Sequence, residues 1–165
     1  MVLRFFYVLI TLGLSLLCLP RALAQNALGL TLGGPSFINF THALSDRKSV
    51  EAGVSFSYDD ATHLYGDYLI QTKNIFKDSQ LNNVDLFYGV GGLLVITNKD
   101  RKDDDGYYGK DSGSIGLGVR LPIGLEWRPP KLKEFGFNVE LIPVVAIVPK
   151  TSLEFMAGIG FRYYF

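Results

Sequence analysis

The sequence predicts an all-β fold, an eight-stranded antiparallel up-and-down transmembrane β-barrel, on three observations. Apolar residues alternate with small or polar ones at period two through much of the chain after residue 25. No apolar stretch there approaches 18 residues, so no transmembrane helix is expected. The 18 Gly and the 13% aromatic content fall on opposite faces of the same segments. Composition narrows the function classes as well. Sixteen basic against 16 acidic residues leave no electrostatic footprint for nucleic acid. One Cys and two His cannot build a disulfide framework or a structural zinc site. No metal, cofactor or catalytic centre is therefore expected. A mean hydropathy of +0.20 with this Gly, Tyr and Phe content suits neither a water-soluble globule nor a helical membrane protein. The length fits one domain.

Residues 1–24 read as a cleaved secretory signal peptide. A basic start ending at Arg4 precedes a 15-residue apolar run over 5–19, which Pro20 breaks, and Ala22-Leu23-Ala24 supplies the small residues of a cleavage site. Fifteen apolar residues are short of the roughly 20 a membrane span needs. Cys18 follows Leu17 where a lipid-attachment box wants a small residue, so it is expected to leave with the leader. The mature domain, 25–165, then holds no Cys, and 14 basic against 16 acidic residues give a net of −2. An exported domain without a disulfide must be stabilised otherwise, and closure of a barrel in lipid is one way.

Three strands are strongly patterned. In 50–58, Val50, Ala52, Val54, Phe56 and Tyr58 oppose Glu51, Gly53, Ser55 and Ser57. In 114–127, Ile115, Leu117, Val119, Leu121, Ile123, Leu125 and Trp127 oppose Ser114, Gly116, Gly118, Arg120, Gly124 and Glu126. In the last, Leu153, Phe155, Ala157, Ile159, Phe161, Tyr163 and Phe165 oppose Glu154, Met156, Gly158, Gly160, Arg162 and Tyr164. With the weaker segments, the strands are placed at 27–33, 36–43, 49–58, 62–72, 84–96, 114–126, 135–147 and 152–165. Each is near the length that crosses a bilayer at a tilt. Turn formers separate them: Ser45-Asp46-Arg47-Lys48, Asp59-Asp60, residues 77–83, Pro129-Pro130 and Pro149-Lys150. Gly33-Gly34-Pro35 reads either as a tight turn or as a break within a strand.

Alternation alone also fits a soluble lipocalin-like calyx, so the faces decide. The apolar face is nearly free of charge and carries aromatics near the strand ends. The other mixes Gly and Ser with Glu51, Asp67, Asp85, Arg120, Glu126, Glu140, Glu154 and Arg162. A lipid-facing exterior around a polar lumen relieved by glycine accounts for this split better than a calyx does. The terminal Phe165, with Phe161 and Tyr163 behind it, matches the aromatic signature by which barrel strands are recognised for assembly.

On residues 118–126 (Gly-Val-Arg-Leu-Pro-Ile-Gly-Leu-Glu), 139–144 (Val-Glu-Leu-Ile-Pro-Val) and 158–165 (Gly-Ile-Gly-Phe-Arg-Tyr-Tyr-Phe), the chain resembles the small eight-stranded outer-membrane barrels typified by OmpX and the OmpA transmembrane domain. The resemblance implies an outer-membrane location and no settled activity. Partners implied are outer-membrane lipid and lipopolysaccharide, the barrel-assembly machinery and an extracellular protein at the loop 97–113, with the barrel a monomer. Pro122 and Pro143 depart from the simple pattern, since Pro removes a ladder donor. They fall at similar heights on neighbouring strands, and a bulge or paired kink is expected there.

With both termini on the periplasmic side, loop 97–113 is extracellular. It holds Lys99, Asp103, Asp104, Asp105, Tyr107 and Tyr108. An EF-hand frame on Gly106 would need an acid where Arg101 stands and Glu where Ser112 stands, so a solvated charged loop is the reading. In the lumen, Asp67, Arg120 and Glu140 are expected near mid-height, with Arg120 and Glu140 forming a cross-strand ion pair. A proton or ion path through these groups is the functional alternative. Ser57, Asp59, Asp60 and His63 hold the ingredients of a Ser–His–acid hydrolase or lipid-modifying site, although turns collect Ser and Asp anyway. The favoured reading is a structural or surface-interaction barrel.

Overall fold

A computed structural model describes residues 26–56, 61–76, 83–97 and 114–165. Residues 1–24, expected to be a signal peptide, Ser57, Asp59 and the loop residues Lys99 to Tyr108 named above lie outside the described residues. Nine ladder segments are present: β1 (Asn26–Gly33), β2 (Phe37–Ser45), β3 (Lys48–Ser55), β4 (Ala61–Thr72), β5 (Val84–Thr97), β6 (Ile115–Arg120), β7 (Ile123–Trp127), β8 (Phe135–Val148) and β9 (Ser152–Tyr164). All pairings are antiparallel. Each strand pairs with the next in the chain, β6 and β7 together bridge β5 and β8, and β1 pairs with β9. The sheet thus closes into a ring of eight strands, the sixth being β6 plus β7. Closure leaves no unpaired edge, so every strand's backbone finds its partners within the barrel.

The break between β6 and β7 is Leu121-Pro122. No residue is inserted: Arg120 pairs with Val144 and Ile123 with Leu141, three residues on along each strand. Of the bulge or paired kink expected at the prolines, the bulge is therefore absent, and what the strand shows is an interruption at Leu121-Pro122. Pro122 has no N–H to give, yet its carbonyl still accepts from Gly89 N–H (2.8 Å), and Leu121 N–H reaches the carbonyl of Pro143 (2.9 Å). The ladder loses a bond without losing register. Register does shift further up, between Leu117 and Gly118 against β8. Gly33-Gly34-Pro35 is a turn, with Ser36 Oγ bonded to both the N–H and the carbonyl of Gly33.

Strand parity sorts the side chains as the pattern requires. Large apolar residues of every strand face outward and are exposed, among them Leu30, Phe40, Val54, Leu64, Val90, Leu117, Ile123, Val139 and Ile159. Within the strands every Asp, Glu and Arg faces inward. The apolar face thus lies outside, the reverse of a calyx.

Glycine makes room for what the lumen contains. Gly91 lies between Asp67 and Arg120 in the cross-strand row, and a Cβ on it would overlap Asp67 Oδ1 and the carbonyl of Gly66. Gly92, one residue on, points outward into open space. Gly91→Ala is expected to cost about 1–3 kcal/mol through overpacking, and Gly92→Ala to stay within about 0.5 kcal/mol. Urea titration of both variants in detergent micelles checks the contrast, and equal midpoints would contradict it.

Candidate functional site: the barrel lumen

The lumen has two zones. Toward the end away from the chain termini (the far end) it is packed with Phe37, Ala61, Leu93, Val95, Val144 and Ala146, with Tyr65, Ile142 and Met156 completing one apolar cluster. Toward the end where β1 begins and β9 finishes (the terminal end) it holds a charged network. The apolar plug was not foreseen from the sequence. Its signal was parity: Phe37 and Tyr65 share the inward face with Asn39 and Asp67.

Arg162, 2% exposed, is the hub of the charged zone. It donates through Nη1 to Glu126 Oε2 and through Nη2 to Glu51 Oε2, both at 2.7 Å. Glu51 also accepts from Thr41 Oγ1 and from the Tyr65 hydroxyl, each at 2.8 Å. Glu126 accepts from the Tyr164 hydroxyl (2.7 Å) and from Arg128 Nε (2.6 Å). Each carboxylate is thus held by several donors, which a buried charge requires. Arg128 stands one residue past β7 with its guanidinium 3.9 Å from the Tyr164 ring centroid. Burial works against its charge, but Glu126, Tyr164 and Asp85 together offset burial, and its pKa lies above the ordinary value.

Arg120, 1% exposed, lies between the zones. It pairs with Asp67 at 3.2 Å, and its guanidinium sits 3.7 Å from the Tyr65 ring centroid. The expected Arg120–Glu140 pair is not formed. Arg120 is registered with Val144 and Gly91, whereas Glu140 is registered with Gly124 and Gly158. Four residues of strand separate the two heights, about 13 Å at the rise of a β-strand. Gly91 supplies the gap that lets Asp67 reach Arg120 instead.

Of the remaining lumen residues, Asp85 is buried and accepts from the backbone N–H of Asn74 (2.9 Å). Glu154 is half-buried near the far end, where Ser152 Oγ donates to it (3.4 Å). Thr41, Tyr65, Arg128 and Tyr164 complete the network and were missing from the charge-based selection. Hydroxyl and rim residues carry no signal in a search for charged positions. His63, the base of the hydrolase alternative, is buried in the lumen beside Phe37, and its backbone N–H donates to Ser55 Oγ (2.8 Å). His42 lies toward the terminal end with Nδ1 2.8 Å from Asn26 Oδ1.

The aromatic signature residues face outward at the terminal end. Trp127, Phe137, Phe161, Phe135, Tyr163 and Phe165 form a ladder of ring contacts across β7, β8 and β9, with centroids 5.4–6.2 Å apart. Each pair is in the range where rings attract beyond simple burial.

Closed ring, inward charges and outward apolar belt together define a small up-and-down β-barrel. Among solved structures, the crystal structure of the N-terminal β-barrel domain of Pseudomonas aeruginosa OprF is similar, with a TM-score of 0.60 and 12% sequence identity over 85% of this chain and 95% of that chain. At that identity the likeness is one of fold. No family model and no curated protein matches the sequence.

Proposed function

We propose that the chain is an integral outer-membrane barrel with a structural and surface-interaction role, contacting other molecules through its far-end loops and catalysing no reaction. The observation that carries this reading is the closed ring with exposed apolar side chains on every strand and inward charges, a surface suited to lipid rather than water. The fold shared with the OprF barrel domain supports the location, as does the resemblance of residues 118–126, 139–144 and 158–165 to barrels of the OmpX and OmpA type. Loop 97–113 is the surface proposed to meet an extracellular partner, and the outward aromatic ladder suits the headgroup interface and recognition by the assembly machinery.

Electrophoresis of outer-membrane fractions, boiled and unboiled, tests the reading. The unboiled barrel is expected to migrate apart from its unfolded form. A periplasmic location, or no mobility difference, would sink it. The apolar plug also favours a lumen closed to ions, so purified protein in planar bilayers is expected to give no conductance steps. Removal of residues 99–111 is expected to abolish surface binding while leaving heat-dependent mobility intact.

A further inference from the structure

A cavity of about 280 Å³ opens at the terminal end of the lumen, beneath the charged network. It exists because small inward residues, Ala27, Ala43 and Ser49, line the β1–β3 side, while Tyr164, paired with Ala27 across β1 and β9, and Arg128 form the adjoining wall. Its size is that of about nine waters in the liquid, near the lower bound of small-molecule sites. Among the described residues three cations border it, Lys48, Lys73 and Arg128, against the single acid Asp46. Lys48 and Lys73 form no ion pair among the described residues. Arg128 has its Nε committed to Glu126 and its plane fixed against Tyr164, which holds the guanidinium in place at the wall. At the cavity's inner face Ser49 is 4% exposed, and its hydroxyl has no hydrogen-bond partner. A buried hydroxyl left unbonded is costly, and a ligand acceptor in the cavity would relieve it.

We propose that this cavity is an oxyanion-binding socket that takes a carboxylate or phosphate group from the terminal-end side. The two lysines supply charge and the fixed guanidinium supplies directed donors. Ser49 Oγ donates at the inner wall. Arg162, Glu51 and Glu126 stay outside the contact set, since none of them lines the cavity and they bond one another within the network. The socket is thus distinct from the far-end loops, and it stands whether or not those loops bind a partner.

The test is a nuclear magnetic resonance titration of the purified barrel in zwitterionic detergent micelles, with inorganic phosphate in one arm and N-acetyl-alanyl-alanine in the other. Saturable shifts at the amides of Ser49, Gln71 and Tyr164 are expected in at least one arm, and the responding arm identifies phosphate or carboxylate as the preferred group. The paired substitution Lys48→Ala with Lys73→Ala is expected to weaken binding at least tenfold, in keeping with loss of charge-assisted hydrogen bonds. Ser49→Val, which keeps the shape and removes the hydroxyl, is expected to weaken it several-fold. Both variants are first shown to keep the unboiled mobility of the folded barrel. Linear, unsaturated shifts in both arms would overturn the socket, as would binding indifferent to all three substitutions.

Discussion

Arg162→Met is expected to lower the unfolding free energy of the barrel by about 3–5 kcal/mol, the cost of removing one partner from a buried charge network. The size follows from what is left behind. Among the described residues Arg162 is the only one that bonds both Glu51 and Glu126, at 2.7 Å each, and all three side chains are enclosed. With methionine in place, Glu126 keeps Arg128 and Tyr164, while Glu51 keeps only the neutral donors Thr41 and Tyr65. Glu51 then carries the heavier loss. Two carboxylates without their shared cation also repel one another. Adding Glu51→Gln to Arg162→Met is therefore expected to return a substantial part of the loss, because it removes the uncompensated charge. Urea titrations in micelles, followed by the fluorescence of Trp127, the only tryptophan in the chain, measure both variants. A loss under about 1 kcal/mol for Arg162→Met would show that water already screens the cluster, as for an exposed pair.

The strands were legible because a barrel strand has two environments and its residues alternate between them. Val50 to Phe56 carries that alternation throughout and Leu153 to Phe165 does so apart from Met156, and both are placed within a few residues of their expected bounds. The lumen was legible only as a set of charges. Which charge meets which depends on register around a closed ring, and the two carboxylates that meet Arg162 of β9 come from β3 and β7. Arg120 illustrates the limit. Counting along one hairpin suggested Glu140, whereas the partner, Asp67, lies two strands away across a glycine. Pro122 illustrates another. The missing N–H was read correctly, but a neighbouring strand can tolerate one lost bond without a bulge. The apolar plug escaped for a further reason. Phe37, Val95 and Met156 are interrupted in sequence by outward residues no less apolar, so their face could be assigned only from polar neighbours two positions away.

Ile159→Arg offers the sharpest separation between a lipid-facing and a water-facing exterior. Ile159 is 68% exposed, midway along β9, with its side chain directed outward beside Leu32 and Val139. An exposed position on a protein in water tolerates such a change to within about 0.5 kcal/mol. The same charge at the midplane of a bilayer costs about 2–4 kcal/mol, falling to about 0–1 kcal/mol near the interfaces. Leu153 supplies the internal comparison. It is 60% exposed on the same face of β9, six residues nearer the far rim, so Leu153→Arg is expected to cost distinctly less. Equilibrium unfolding from phospholipid vesicles measures both. The membrane reading requires a depth-dependent ordering, with position 159 the more costly. Two small and equal effects would assign the apolar belt to water or to a partner protein, whatever the geometry of the ring. The ordering carries the weight here, because a generic loss of β-propensity would affect both positions alike and cannot produce a gradient along one strand.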